Sequence, residues 1–227
     1  MIKYLLIASS ALVMASGAQA QASASPFSGP YVGVQIGYAD LEDVHDDLDF
    51  WYDDFKNFKQ NDDNLVGGVR VGYDHVFGPG VLVGVVGEFS LTDLDTVGPT
   101  RSDDDTYEIG AKVSNLGSVR GKLGFASGKL AVYGTAGLGF ANIKHHMMDI
   151  DGSDEGYDEK GDRTGFVFGV GGAIAINDRS SFGLDLSQYN FGSRTHEVLE
   201  SDGGSTDYFF RQKDRIRTAM ITYSYGF

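Results

Sequence analysis

Eight stretches of this chain alternate apolar side chains with small or polar ones, and the connections between them alternate between long and short. Period-two alternation marks a strand with two unlike faces, because successive side chains point to opposite sides. The stretches are Pro30 to Tyr38, Leu65 to His75, Val81 to Leu91, Lys112 to Phe125, Leu130 to Phe140, Phe166 to Ile176, Phe182 to Phe191, and a last one closing at Phe227. In the first, Val32, Val34, Ile36 and Tyr38 share one face and Gly33, Gln35 and Gly37 the other. In the fourth, Val113, Val119, Leu123 and Phe125 are expected opposite Lys112, Ser114, Ser118, Arg120 and Lys122. A tilted strand crosses a bilayer in about ten residues, which is the length of these stretches.

The connections sort the two ends of such a sheet. Phe77-Gly78-Pro79-Gly80, Ser127-Gly128 and Asn177-Asp178-Arg179-Ser180 are compact turn sequences. The other four segments hold 28 of the 32 Asp and Glu residues: Asp40 to Asp63, Asp93 to Glu108, Asp149 to Asp162 and Glu197 to Asp214. Three short turns and four long acidic loops imply eight strands with both termini at the turn end. A transmembrane barrel shows this asymmetry, with short periplasmic turns and long extracellular loops.

The N-terminus supplies a route of export. Lys3, the apolar run Leu5 to Ala15 and the small residues of Ala18-Gln19-Ala20 form the pattern of a cleaved secretory signal over residues 1–20, with maturation at Gln21. Residues 21–28 then form a short N-terminal segment and 29–227 the barrel. Beyond residue 20 no apolar run approaches the roughly 20 residues of a membrane helix. The absence of cysteine leaves backbone pairing and packing to hold the fold. A net charge of −14 excludes a nucleic-acid partner as an expectation.

Two placements of the apolar faces remain: outward into lipid, or inward as in a soluble barrel that binds a small ligand. A soluble surface would carry many Lys, Glu and Thr. Here the non-apolar faces carry mainly Gly, Ala and Ser, which suit a narrow lumen, so the expected fold is an all-β, eight-stranded antiparallel up-and-down transmembrane β-barrel.

Four stretches resemble the small porin-like outer-membrane barrels, related to the transmembrane half of OmpA-type proteins. They are Ser28 to Tyr38, Gly67 to Tyr73, Gly117 to Phe125 with Tyr133 to Gly139, and Ile221 to Phe227. The resemblance implies a Gram-negative outer-membrane location, and it implies that Tyr223, Tyr225 and Phe227 are a C-terminal signal for the barrel-assembly machinery. It implies no activity, and no cell-wall-binding domain is expected after Phe227.

Within that frame Arg70, Glu88, Arg120, Lys122 and Asp185 fall on lumen positions and are expected to form a charge network, because buried charges need partners. Such a network either fills the lumen or borders a narrow solute path, so a structural or surface-interacting role and a small-solute channel both stand. Arg211, Arg215 and Arg217 lie where the last strand leaves the membrane and are candidates for lipopolysaccharide phosphate. The acidic loops are candidates for divalent cations, and Asp149 to Glu155 has oxygen ligands spaced as in a calcium loop but lacks the glycine position and the distal glutamate of the EF-hand pattern. No residue set points to an enzyme or to a cofactor. A monomer is the expected state.

Overall fold

The computed structural model describes residues 25–47, 58–102, 105–149, 156–199 and 205–227, so the expected signal segment lies outside the described residues. The described residues form eight strands: β1 (Gly29–Asp47), β2 (Phe58–Phe77), β3 (Val81–Ser102), β4 (Asp105–Ser127), β5 (Leu130–Asp149), β6 (Gly156–Ala175), β7 (Ser180–Leu199) and β8 (Ser205–Gly226). Each pairs antiparallel with its sequence neighbour, and β8 closes on β1 through Tyr223 opposite Val34 and Tyr225 opposite Val32. Closure leaves no unpaired edge inside lipid, the condition for a sheet to span a membrane.

The apolar faces point outward. Val34, Ile36, Val69, Val71, Val119, Leu138, Phe166, Val170, Leu184 and Ile221 are all exposed, and together with their neighbours they encircle the barrel. Ten residues at about 3.3 Å each, tilted by about 40°, give a belt about 25 Å tall, the height of a bilayer's hydrocarbon core. A soluble barrel with apolar residues inside is therefore excluded. Tyr38, Phe140 and Phe125 sit near the belt's margins, and Tyr225 meets Phe227 edge-on with ring centroids 5.7 Å apart at the turn end.

The acidic segments differ from expectation. Strand pairing continues through them, to His45 opposite Phe58, Ser102 opposite Asp105, Met148 opposite Gly156 and Leu199 opposite Ser205. They form hairpin arms of paired strand, with only 48–57, 103–104, 150–155 and 200–204 outside the described residues. Beyond the lipid both faces of a strand can meet water, so the apolar half of the alternation that marks a strand in sequence disappears there.

Val113 is a second correction. Val113 pairs with Ile143 but Asn115 with Asn142, so β4 carries one extra residue at Ser114. A bulge of this kind exchanges the two faces of a strand. Val113 is consequently buried in the lumen and Lys112 stands on the outer wall.

Above the belt the wall divides. Among the described residues the β2–β3 ladder begins at Val66 opposite Thr92, and the β6–β7 ladder at Phe166 opposite Asn190. The ladders of β7–β8–β1–β2 and of β3–β4–β5–β6 run on through the arms. Side chains bridge the first seam: Asp62 accepts the Asp95 N–H at 2.8 Å and Asn64 donates to the Asp93 carbonyl at 2.5 Å.

Candidate functional site

The lumen is filled in three layers. At mid-height lie six charges. Arg70 donates to Asp185 at 2.7 Å and reaches Glu88 at 3.4 Å. Arg120 pairs with the same Glu88 and donates to Ser187 at 2.6 Å and Thr135 at 3.1 Å. Lys122 donates to Asp74 at 2.8 Å and to the Tyr31 hydroxyl at 3.1 Å, and its ammonium lies 4.5 Å from the Tyr133 ring centroid. All five residues expected in the network meet in this layer, joined by Asp74. Asp74 is not among the residues expected in the network, although it shares a period-two face with Arg70 and Lys122 needs a carboxylate partner.

Three cations and three carboxylates balance the layer, and each of the six side chains is at most 8% exposed. An unpaired charge in such a place would carry a large desolvation cost, so their equal number is a condition of folding. Neutral donors extend the layer, Gln35 donating to Ser90 at 2.9 Å and Ser118 to the Glu88 carboxylate at 3.2 Å.

Glycines make room for the large members. A Cβ on Gly72 would meet the Tyr31 ring at 2.5 Å, and one on Gly171 would meet the Tyr133 ring at 2.5 Å. Gly84 stands between Asp74 and Lys122 in one cross-strand row, where a Cβ would collide with the Asp74 carboxylate. The glycine-rich lumen faces are thus slots cut for rings and ion pairs.

Toward the arms an apolar layer covers the charges. Ala39, Leu41, Val66, Leu94, Val113, Leu116, Ala141, Ile143, Val167, Tyr189, Phe191, Ile216 and Met220 form one buried cluster. Most lie at the far ends of the period-two stretches or past them, where sequence pattern shows no lumen face. Toward the turns a smaller cluster of Leu82, Ala126, Ala131 and Tyr133 packs against Phe27, Val76 and Ala173. Phe27 comes from the segment before β1, which turns at Ser25 to Ser28 and is tied down where Ser28 Oγ accepts the Val76 N–H at 3.1 Å. The space left beside these residues and Lys122 is about 40 Å³, room for a water or two.

The outer wall carries its own polar set just above the belt. Arg217 reaches Glu42 at 2.7 Å and Asp40 at 3.6 Å, Arg215 reaches Glu42 at 3.5 Å, and Arg215 and Arg217 also approach Asn190 and Gln188. The backbone of Arg211 lies further along β8, opposite Asp46, and its side chain lies outside the described residues. Across the wall, Lys112 meets Asp93 at 2.7 Å and Asp95 at 3.3 Å, and these bonds hold its ammonium above the ordinary lysine range. Of the candidate cation run Asp149 to Glu155, residues 150–155 lie outside the described residues.

The sequence matches the outer membrane protein beta-barrel domain over residues 8–227. The chain belongs to that family. Like others of the family it is an outer-membrane protein, so its turn end faces the periplasm and its arms face outward. It is 26% identical over 211 residues to the 31 kDa outer-membrane immunogenic protein of Brucella melitensis, covering 88% of this chain and 84% of that one. Among solved structures, the outer membrane protein OprG from Pseudomonas aeruginosa shares the fold with a TM-score of 0.50 at 13% identity, over 89% of this chain and 98% of that chain. Ail, the attachment invasion locus protein of Yersinia pestis, matches with a TM-score of 0.40 at 19% identity, over 88% of this chain and 99% of that one.

Proposed function

We propose that this outer-membrane barrel is a closed, non-catalytic structural protein that presents its acidic hairpin arms at the cell surface. The observation that carries the reading is the filled lumen. Six paired charges lie between an apolar layer of thirteen residues and a lower cluster packed against Phe27, and the space left beside them at the turn end is only about 40 Å³, room for water but not for a solute path. A conducting pore needs a continuous wet path, and moving the apolar layer aside would expose it to water. The relative that is named as immunogenic fits a role centred on exposed arms.

In this reading residues 1–20 direct export and are removed, so the mature protein begins at Gln21. Tyr223, Tyr225 and Phe227 present the closing strand to the assembly machinery. Arg215 and Arg217, with Arg211 further along the strand, meet lipopolysaccharide phosphate. The barrel acts as a monomer, and divalent cations screen the acidic arms.

Planar-bilayer recording of the refolded protein tests the central claim. Reconstituted barrels should give no stepwise current across a range of voltages, and a reproducible unitary conductance from inserted, heat-modifiable protein would overturn it. The mass of protein recovered from outer membranes tests the cleavage site.

A further inference from the structure

The belt is notched at Ala219. Across β7, β8 and β1 the register aligns Leu186, Ala219 and Tyr38, and the next row toward the arms aligns Gln188, Arg217 and Asp40. Ala219 is the small residue in a row that is otherwise bulky, so Leu186 and Tyr38 stand up on either side of it, with Phe168 and Val170 beyond Leu186 on β6. The furrow they outline is open on its lipid side, has a volume of about 550 Å³ and ends against Arg217 and Gln188.

We infer that this notch binds one acyl chain of an outer-leaflet phosphorylated glycolipid, lipid A in chemical class, whose phosphate is held by Arg217 and Arg215. The inference deepens the lipopolysaccharide contact proposed above and rests on it. The furrow is apolar along its length and ends at two exposed guanidiniums set among carboxylates, so an acyl chain lying in it brings its phosphate within reach of Arg217.

The arginines remain available. Their side chains are 47% and 42% exposed, and of their contacts to Asp40, Glu42, Gln188 and Asn190 only that of Arg217 with Glu42 is shorter than 3.4 Å. Each guanidinium has five donors, more than these contacts occupy. Asp40, Glu42 and Asp63 stand beside them and keep the pair from acting as a general anion trap, so the chain in the furrow and the phosphate must act together.

The test uses the full barrel refolded in detergent micelles and titrated with bisphosphorylated lipid A or with the same lipid dephosphorylated, bound lipid being read by native mass spectrometry. Wild type should prefer the phosphorylated lipid about tenfold, the worth of one charge-assisted contact. Arg217→Gln with Arg215→Gln should abolish that preference. Ala219→Phe, which fills the furrow from the lipid side, should weaken binding of both lipids about tenfold while the unboiled band on a gel stays folded. If Ala219→Phe binds as wild type does, the notch inference is overturned, and the phosphate contact stands or falls on the arginine variant alone. If the arginine variant keeps the preference, both are overturned.

Discussion

Replacing Arg70 by Met should destabilise the folded barrel by about 3–5 kcal/mol, the usual result of removing one partner from a buried ion pair. Arg70 is the cation on Asp185 at 2.7 Å and shares Glu88 with Arg120, and its side chain is 2% exposed. Without it three buried carboxylates face two cations. Glu88 keeps Arg120, so the loss falls mainly on Asp185. Arg70→Met with Asp185→Leu removes both charges and restores the balance, and the cost should fall well below the sum of the two single changes. Urea titration of protein in lipid vesicles, read as the fraction running as folded barrel on an unboiled gel, measures this. With a slope of about 2–3 kcal/mol per molar the single variant's midpoint should drop by about 1–2 M. A single variant with an unchanged midpoint, or a double variant whose loss equals the sum, would falsify the claim that charge balance holds the layer together.

Gly171→Val should destabilise the barrel by about 1–3 kcal/mol in the same titration through overpacking against Tyr133 and Asp185. Gly87→Ala on the outer wall, where a Cβ finds its nearest neighbour at 3.9 Å, should cost nothing measurable. Val71→Arg places a charge in the middle of the lipid belt and should cost about 2–4 kcal/mol in vesicles, and equal stability of variant and wild type would contradict the outward orientation. Lys112 has a raised pKa through Asp93 first and then Asp95, so the stability it contributes is complete at neutral pH and disappears as pH rises through that raised value. Melting curves of Lys112→Met and wild type should therefore converge in strong alkali, and a gap that widens there would refute the pairing.

The lipid belt was legible because lipid demands an apolar residue at every second position. Its members, from Val32 to Phe227, point outward where the alternation placed them, except Val113. Val113 was misread because one extra residue at Ser114 shifts the faces, and a serine in a strand carries no mark of a bulge. The charge layer was legible in membership, because Arg, Lys, Asp and Glu on a lumen face have few other options. Its geometry was not, since which acid meets which cation depends on how far across the barrel each side chain reaches, past Gly84 in one case and along Tyr133 in another. The apolar layer escaped because Leu41, Leu94, Leu116, Ile143 and Ile216 face inward at a height where their neighbours have already turned polar.

The two seams above the belt decide what the outside world meets. β4 has 23 residues, of which about ten span lipid, so the remainder rises by about 30 Å at the tilt of such strands. At that height the protein is two plates of four strands each, one made of β7, β8, β1 and β2 and the other of β3 to β6. Each plate is held together by ladders that run on through the arms past local register shifts, and is joined to the other near the first seam by side chains such as Asp62 and Asn64. A recognising molecule therefore reads the arms in pairs, the first with the last, which are distant in sequence, and the second with the third, which follow one another. An arm transplanted alone to another barrel would bring only half of such a surface with it.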